Sequence, residues 1–592
     1  MKTKPNHLKT RYEIGETPHS EHPFPQARRD TWLCLNGEWD FYKQKTDDSK
    51  ANEGKITVPF SPETLNSGVA AGFVLNTGET LVYSRFFTVN EKQASGVTLL
   101  RFGGVDSECE VFVNGSKAGG HRGGFTAFAL DITSLLQVGD NEILVLCTDE
   151  ATRNGGARGK QNDKRGGIWY TPQSGIWQTV WLEFMPQTHI TNLKITPNAQ
   201  TGEVKISSFC GGERQKITVY DGLYESEKSA SVLFTGEYTD EITVTGNFQC
   251  WSPENPKLYS FTVTSESGDE LHSYFGVRSF GKTVDNKGVA RLTLNGKPYF
   301  FNGVLDQGYW SDGMLTYPSD KAAMDELQML KDMGFNTVRK HIKIEPMRWY
   351  YHCDRLGLVV WQDFVNGGGE YKFTHVAAFP FLGFHHRDDG EKNYRYFARE
   401  NAQARAEFAT MAEETLTQLY NVVSLGVWVP FNEGWGQFDS AKWTDYVREK
   451  DPTRIIDSVS GWHDQGEGKT ELKSLHTYYT KLKVPKDSRP VVLSEFGGYS
   501  MKVAGHVFCE REFGYKKFQT QETLVEALEK LYLAKLLPLM KKGLCGCIYT
   551  QVSDVEEEIN GLVTYDRAVI KVPVQAMRAI NDKLAQEWEN VQ

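Results

Sequence analysis

The chain has 592 residues, too many for one hydrophobic core, so two to four domains are expected. Its 39% hydrophobic and 24% charged residues are ordinary for a globular protein, and no run of about 18 apolar residues is present to span a membrane. A net charge of −10 repels phosphate backbones and argues against a nucleic-acid partner.

The first twenty residues carry basic side chains but no apolar run of the kind a secretory signal needs, so a cytoplasmic location is expected. The nine cysteines are few, odd in number and scattered, which fits free thiols in a reducing compartment. Cys545 and Cys547 lack the further ligands of a zinc site, and neither a metal nor another cofactor is expected. Aromatic residues, at 12%, lean slightly toward a sugar-binding protein.

Residues 1–185 read as short strands between turns. Leu35-Asn36-Gly37-Glu38-Trp39-Asp40-Phe41 alternates around Asn-Gly, and 99–102, 109–113 and 143–147 continue the pattern. Turns are expected at Asn114-Gly115 and at Gly139-Asp140-Asn141, giving an all-β sandwich. Residues 186–280 repeat the texture in strands at 203–207, 215–220, 241–244 and 259–263, a length that suits an immunoglobulin-like sandwich.

From 281 to 592 apolar strand-sized runs alternate with helical periodicity. Eight strands are expected, at 299–303, 336–340, 358–363, 424–431, 454–458, 474–478, 491–496 and 545–551. Ser319 can cap a helix carrying Ala322, Leu327, Leu330 and Met333, closed by Gly334. A second helix is expected over 523–542, kinked or ended early by Pro538. Eight β/α units predict a (β/α)8 barrel, whose chemistry belongs at the carboxyl ends of the strands.

Two carboxylates fall there. Asn432-Glu433 ends the fourth strand and Glu495 lies near the end of the seventh, so a closed barrel would bring them together across its mouth. Glycoside cleavage needs such a pair, one group protonating the leaving oxygen and the other attacking or stabilising the sugar cation. A lone glutamate at a strand end is commonly just polar. The pair, within Trp-x-x-x-Asn-Glu and Ser-Glu-Phe-Gly, favours catalysis.

Asn421-x-x-Ser424-x-x-x-Trp428-x-x-x-Asn432-Glu433 resembles the acid/base motif of glycoside hydrolase family 2, the β-galactosidase, β-glucuronidase and β-mannosidase group. Val422-Val423 stand where that family usually has His-Pro. Asn336-Thr337-Val338-Arg339, Cys353-Asp354-Arg355-Leu356-Gly357-Leu358, Leu35-Asn36-Gly37-x-Trp39-x-Phe41 and Phe275-Gly276-Val277-Arg278 are similar to further family motifs in the same order. The resemblance covers nearly the whole chain. It implies a jelly-roll sugar-binding-like sandwich at 1–185, an immunoglobulin-like sandwich at 186–280 and a catalytic TIM barrel at 281–592.

It also implies roles: Glu433 as acid/base, Glu495 as nucleophile, Asn432 as partner of the sugar 2-hydroxyl, Tyr478 as donor to the nucleophile, and Arg339 as the charge that keeps Glu495 ionised. His341 and Asp363, also at strand ends, are candidate pocket residues. A long loop, 366–393, carries His385-His386 and is expected to wall the cleft rather than bind metal. Gly367-Gly368-Gly369 opens no helix after a strand, which excludes a phosphate loop.

For the sugar, β-glucuronidases of that family clamp the uronic carboxylate with Asn-x-Lys, where this chain reads Glu558-Ile559-Asn560. A glutamate there repels a carboxylate, so a neutral sugar, with galactose foremost, is expected. The Arg339-Lys340-His341-Ile342-Lys343 run adds positive charge near the mouth and keeps a β-glucuronidase or β-galacturonidase as the alternative. A non-catalytic carbohydrate-binding protein and an inverting hydrolase are the other rivals. Family members often oligomerise, which leaves a homo-oligomer open.

Overall fold

The computed structural model describes residues 7–223, 231–465 and 468–591. The first sandwich packs a six-stranded antiparallel sheet, including Gly37–Gln44, Thr80–Val89 and Gly139–Thr148, against a four-stranded one that includes Val97–Phe102 and Val180–Met185. Alternation drives this: Trp39, Phe41, Val111, Ile143 and Leu182 are buried in one core while the residues between them face outward. Asn36 explains the Asn-Gly signature. Its side chain receives the Val180 N–H and donates to the Pro18 carbonyl, tying strand starts together, and Gly37 turns at φ +107°.

Asn114 and Gly115 form a hairpin turn with φ of +50° and +80°. The expected turn at 139–141 is instead the start of the strand Gly139–Thr148, because Asn141 side-chain bonds to Gln137 and Gly139 carbonyls shape the approach while the ladder already pairs.

The second sandwich joins a three-stranded sheet (Thr191–Asn198, Glu203–Phe209, Glu241–Val244) to a four-stranded one (Gln215–Tyr220, Val232–Tyr238, Tyr259–Ser265, Glu270–Phe275). It is locked to the barrel by buried Arg278, which donates to the Val423 and Val422 carbonyls. Asn421 does the same from the barrel side, accepting from Ile195 N and donating to the Leu193 carbonyl.

The barrel strands are β1 (Phe301–Asp306), β2 (Thr337–Lys340), β3 (Val359–Asp363), β4 (Leu425–Val429), β5 (Ile455–Ile456), β6 (Lys473–Thr477), β7 (Val491–Gly497) and β8 (Leu544–Thr550). They pair in parallel in the order β5-β4-β3-β2-β1-β8-β7-β6, the cyclic order of a (β/α)8 barrel. No ladder pairs β5 with β6 among the described residues; the short strand Val459–Ser460 that follows β5 reaches β6 through Ser460 Oγ, 2.9 Å from His476 Nε2. Every residue of β1–β4, β7 and β8 is buried, as expected of parallel strands covered on both faces.

The helix after β1, Asp320–Asp332, starts at Ser319, whose side chain accepts from Ala322 N, and ends before Gly334 at φ +85°. The later one differs from expectation. It is capped by Thr520, and Pro538 does not end it: the chain runs Gln521–Glu529, then a π-helical stretch Lys530–Leu536, then Leu537–Met540. Pro538 sits in the first turn of the last piece, where its missing N–H costs nothing. Among the described residues no helix is long and apolar enough to cross a membrane.

Candidate active site

Glu433 follows a two-residue strand, Phe431–Asn432, that extends beyond β4 and pairs with Val459–Ser460. Its own backbone is left-handed at φ +51°, followed by Gly434 at φ +81°, so the chain turns sharply and throws the carboxylate into the mouth. Glu495 lies within β7 and points into the same space. One oxygen from each carboxylate and a ring nitrogen of His476 all lie within 4.8 Å of one another.

The two carboxylates are held differently. Glu495 Oε1 receives Arg339 Nη1 at 3.1 Å, and Oε2 receives a short hydrogen bond from the Tyr478 hydroxyl. Tyr478 stacks flat on Tyr515 with ring centres 3.9 Å apart. Glu433 Oε1 lies 2.5 Å from His476 Nδ1, and Oε2 receives Trp435 Nε1 at 3.1 Å. Burial pushes the Glu433 carboxyl up, but the His476 ring beside it and the Lys160 charge outweigh this, leaving it below its usual value.

Arg339, fully buried at the end of β2, organises the floor. Its guanidinium reaches Asp363 through Nε and Nη2 at 2.9 Å each, Asn432 Oδ1 at 2.9 Å and the Ser494 carbonyl at 3.0 Å, besides Glu495. Asp363 also sits 2.7 Å from His341 Nδ1, so both its oxygens are engaged and it orients this network from below. Burial raises the Asp363 carboxyl and lowers the His341 imidazole. Asn432 gives its oxygen to Arg339, while its buried Nδ2 has no hydrogen-bond partner among the described residues. That amide is a donor available to a sugar hydroxyl.

The mouth is walled by aromatics. Trp169, Tyr371 and Trp435 meet with ring centres 5.1–5.6 Å apart, directly beside Glu433. Tyr371 belongs to the 366–393 segment, which contains helical turns at Thr374–Ala378 and Glu391–Tyr394. The segment packs on the chain just after Glu433: a Cβ on Gly436 would lie 2.0 Å from the Gly367 carbonyl. His386 pairs with His375 at 2.9 Å.

The charges of the 339–343 run are spent. Lys340 Nζ bonds Asp306 and Glu345, and Lys343 Nζ bonds Glu345 and two carbonyls, all buried. In the 558–560 stretch Glu558 Oε2 receives the Tyr170 hydroxyl at 2.6 Å, and Oε1 receives Asn560 Nδ2 at 3.1 Å. Burial raises the Glu558 carboxyl.

Sequence reasoning missed His476, Trp435, Lys160, Trp169 and Tyr170. His476 had a readable signal, since Ser474, His476 and Tyr478 alternate along one strand face. Lys160, Trp169 and Tyr170 come from the first sandwich and carry no local signal of a barrel site.

Three consecutive stretches match family models. Residues 56–184 match the sugar binding domain of glycosyl hydrolases family 2, 188–281 the model named for the family itself, and 285–580 its TIM barrel domain. The chain is similar to a putative beta-glucuronidase of Formosa agariphila, 26% identical over 56% of this chain and 40% of that one. It is similar also to a beta-galactosidase of Thermoanaerobacter pseudethanolicus, 24% identical over 54% of this chain and 41% of that one. It thus spans about two fifths of the length of these curated relatives. In fold it resembles a GH2 beta-galacturonidase from Eisenbergiella tayi crystallised with galacturonate, with TM-score 0.68, 18% identity, and 95% and 98% of the two chains covered.

Proposed function

This chain belongs to glycosyl hydrolases family 2, and we propose that it is an exo-acting, retaining β-glycosidase with Glu433 as acid/base and Glu495 as nucleophile. The observation that carries the proposal is the gap between the two carboxylates. An oxygen of each within 4.8 Å of the other suits the roughly 5–5.5 Å carboxyl spacing of retaining enzymes better than the gaps of about 6.5–9.5 Å in which inverting enzymes hold a water.

The asymmetry of the surroundings supports the division of roles. Glu495, bonded by Arg339 and Tyr478, is fixed as an oriented carboxylate, as a nucleophile must be. Glu433, beside Trp435 and His476, can exchange a proton with a leaving group lodged against the Trp169–Tyr371–Trp435 wall. In the first step Glu433 gives its proton to the glycosidic oxygen while Glu495 bonds to C1. In the second, Glu433 takes a proton from water, which displaces Glu495 with the original configuration restored. The free Asn432 amide would donate to the 2-hydroxyl as positive charge develops on the ring.

For the terminal sugar we propose a neutral hexose, galactose foremost. Four carboxyl groups, Glu433, Glu495, Asp363 and Glu558, stand against two fixed cations, Arg339 and Lys160, so a uronic acid would add charge to a site already rich in it. The alternative, a β-glucuronidase or β-galacturonidase, is supported by Lys160, a cation unspent near the mouth. A panel of p-nitrophenyl glycosides tests both parts. The galactoside should be turned over and Glu495→Gln should reduce turnover to background. Undiminished activity in that variant removes Glu495 from its role, and turnover of only the glucuronide or galacturonide overturns the choice of sugar.

A further inference from the structure

A loop of the first sandwich reaches over the barrel mouth and is pinned at three points. Arg158 and Gly159 N–H groups both donate to the Asn366 carbonyl just beyond β3, at 3.0 and 3.1 Å. Gly159, at φ +59°, lies so close to the barrel that a Cβ would be 2.9 Å from the Ile342 carbonyl, beyond β2. The loop returns through Tyr170, whose N–H donates to the Lys160 carbonyl at 3.0 Å and whose hydroxyl donates to Glu558, beyond β8. Lys160 is therefore fixed over the mouth between the ends of β2, β3 and β8.

The residue as a whole is only 6% exposed, and among the described residues its ammonium has no carboxylate within ion-pair distance and no hydrogen-bond acceptor. It lies over the face of Trp169, 5.5 Å from the ring centre to Nζ. The other buried lysines around the mouth are all paired: Lys340 with Asp306 and Glu345, Lys343 with Glu345, Lys571 with Asp554. A loop anchored at three points thus holds an ammonium at the mouth with no protein partner, free to meet an acceptor that arrives with the ligand. Trp169 packs in turn on Trp435, the donor to Glu433, with ring centres 5.2 Å apart, which sets the Lys160 ammonium on the aromatic wall beside that carboxylate, and its charge acts on Glu433 and Glu558.

We propose that Lys160 and Glu558 form a specificity-determining pair that holds hydroxyl groups of the terminal sugar away from C1, Lys160 donating and Glu558 accepting. The proposal rests on the reading of this site as a glycosidase. A hydroxyl can accept from an ammonium and donate to a carboxylate at once, so it satisfies both partners. A uronic carboxylate accepts only: it would serve Lys160 and oppose Glu558. The pair therefore recognises a neutral sugar by chemistry, and it does so from two different domains. Glu433 and Glu495 flank C1 and the Asn432 amide serves the neighbouring hydroxyl, which leaves the more distant hydroxyls to the pair.

The test uses the whole chain with Lys160→Met, Lys160→Arg and Glu558→Gln. The neutral p-nitrophenyl glycoside turned over best is compared with its deoxy analogues (for a galactoside, the β-D-fucoside and the α-L-arabinopyranoside) and with the galacturonide. Lys160→Met should lower kcat/KM on the parent glycoside roughly 10- to 100-fold, and the loss should shrink on the analogue lacking the hydroxyl that Lys160 holds. Lys160→Arg, which keeps the charge, should lose less. Wild-type kinetics in Lys160→Met overturn the proposal. So does a galacturonide that is the better substrate and is lost in the same variant, the signature of a uronate site.

Calorimetric binding of galactose and galacturonate to Glu495→Gln, with and without Lys160→Met, reads the pair without turnover. Galactose affinity falling roughly tenfold supports the proposal, and equal affinity, or no binding of galactose to either protein, overturns it. Turnover that survives in Glu495→Gln would instead defeat the glycosidase mechanism while leaving this binding result to stand or fall separately.

Discussion

Replacing Tyr478 by Phe removes one hydroxyl and leaves almost everything else in place. The phenol donates to Glu495 Oε2, for which no other donor is recorded among the described residues, while its ring stacks on Tyr515 at 3.9 Å and 2°. A hydrogen bond to a charged group contributes about 1.5–3 kcal/mol, and about 1.36 kcal/mol is a factor of ten in rate. If that bond orients the carboxylate for attack, kcat should fall roughly 12- to 160-fold. Phe keeps the stack, so the thermal midpoint should move little, and KM should change less than kcat because the sugar is not itself released. The assay is steady-state hydrolysis of a p-nitrophenyl glycoside beside a thermal melt of the same preparation. A Tyr478→Phe enzyme with unchanged kcat would refute the orienting role. A variant that loses activity only in proportion to a collapsed melt would show the hydroxyl to be structural.

The His476 ring is the main influence that keeps the Glu433 carboxyl low against its burial, so His476→Asn should raise it. An acid that must be protonated then stays competent to higher pH, and the basic limb of the kcat/KM profile should move alkaline; a limb that stays put contradicts the assignment. Asp451 is fully buried, and despite burial its carboxyl is held at about 2, against 3.8 in an unfolded chain, by Arg454, Trp428 and Thr453. That difference contributes about 2.4 kcal/mol, present above the unfolded value and lost as pH falls from there through about 2. The stability gap between the wild type and Asp451→Asn should therefore narrow by about 2 kcal/mol between pH 5 and pH 2 in chemical unfolding, the remainder being lost below pH 2, and a constant gap would be contrary. Gly436→Ala forces a side chain onto a residue at φ +69°, against the Gly367 carbonyl 2.0 Å away, and should cost about 1–3 kcal/mol of stability and raise KM by shifting the wall; unaltered kinetics and melting would count against the packing described.

The barrel was legible because parallel strands buried on both faces are written as apolar runs: all eight expected strands overlap observed ones, even β5, whose ladder is only Ile455–Ile456. Strands such as Thr191–Asn198 and Val232–Tyr238 were not, since one contains Pro197 and the other is largely exposed at an edge with no clean alternation. Pro538 misled in the other direction, because a widened π-helical stretch placed it at a tolerated position. In the site, Glu433, Glu495, Asn432 and Arg339 were readable from strand ends. Lys160 and Tyr170 were not: they lie hundreds of residues from Glu433 and Glu558 and reach them only through the docking of one domain on another.

The central claim is that two carboxylates this close act in succession on one anomeric carbon. Proton NMR of a p-nitrophenyl β-glycoside turned over in the tube, recorded before mutarotation, reads it directly. The β-anomer of the free sugar should appear first and decay toward the equilibrium mixture. First appearance of the α-anomer would mean single displacement by water, and would contradict the nucleophilic role of Glu495.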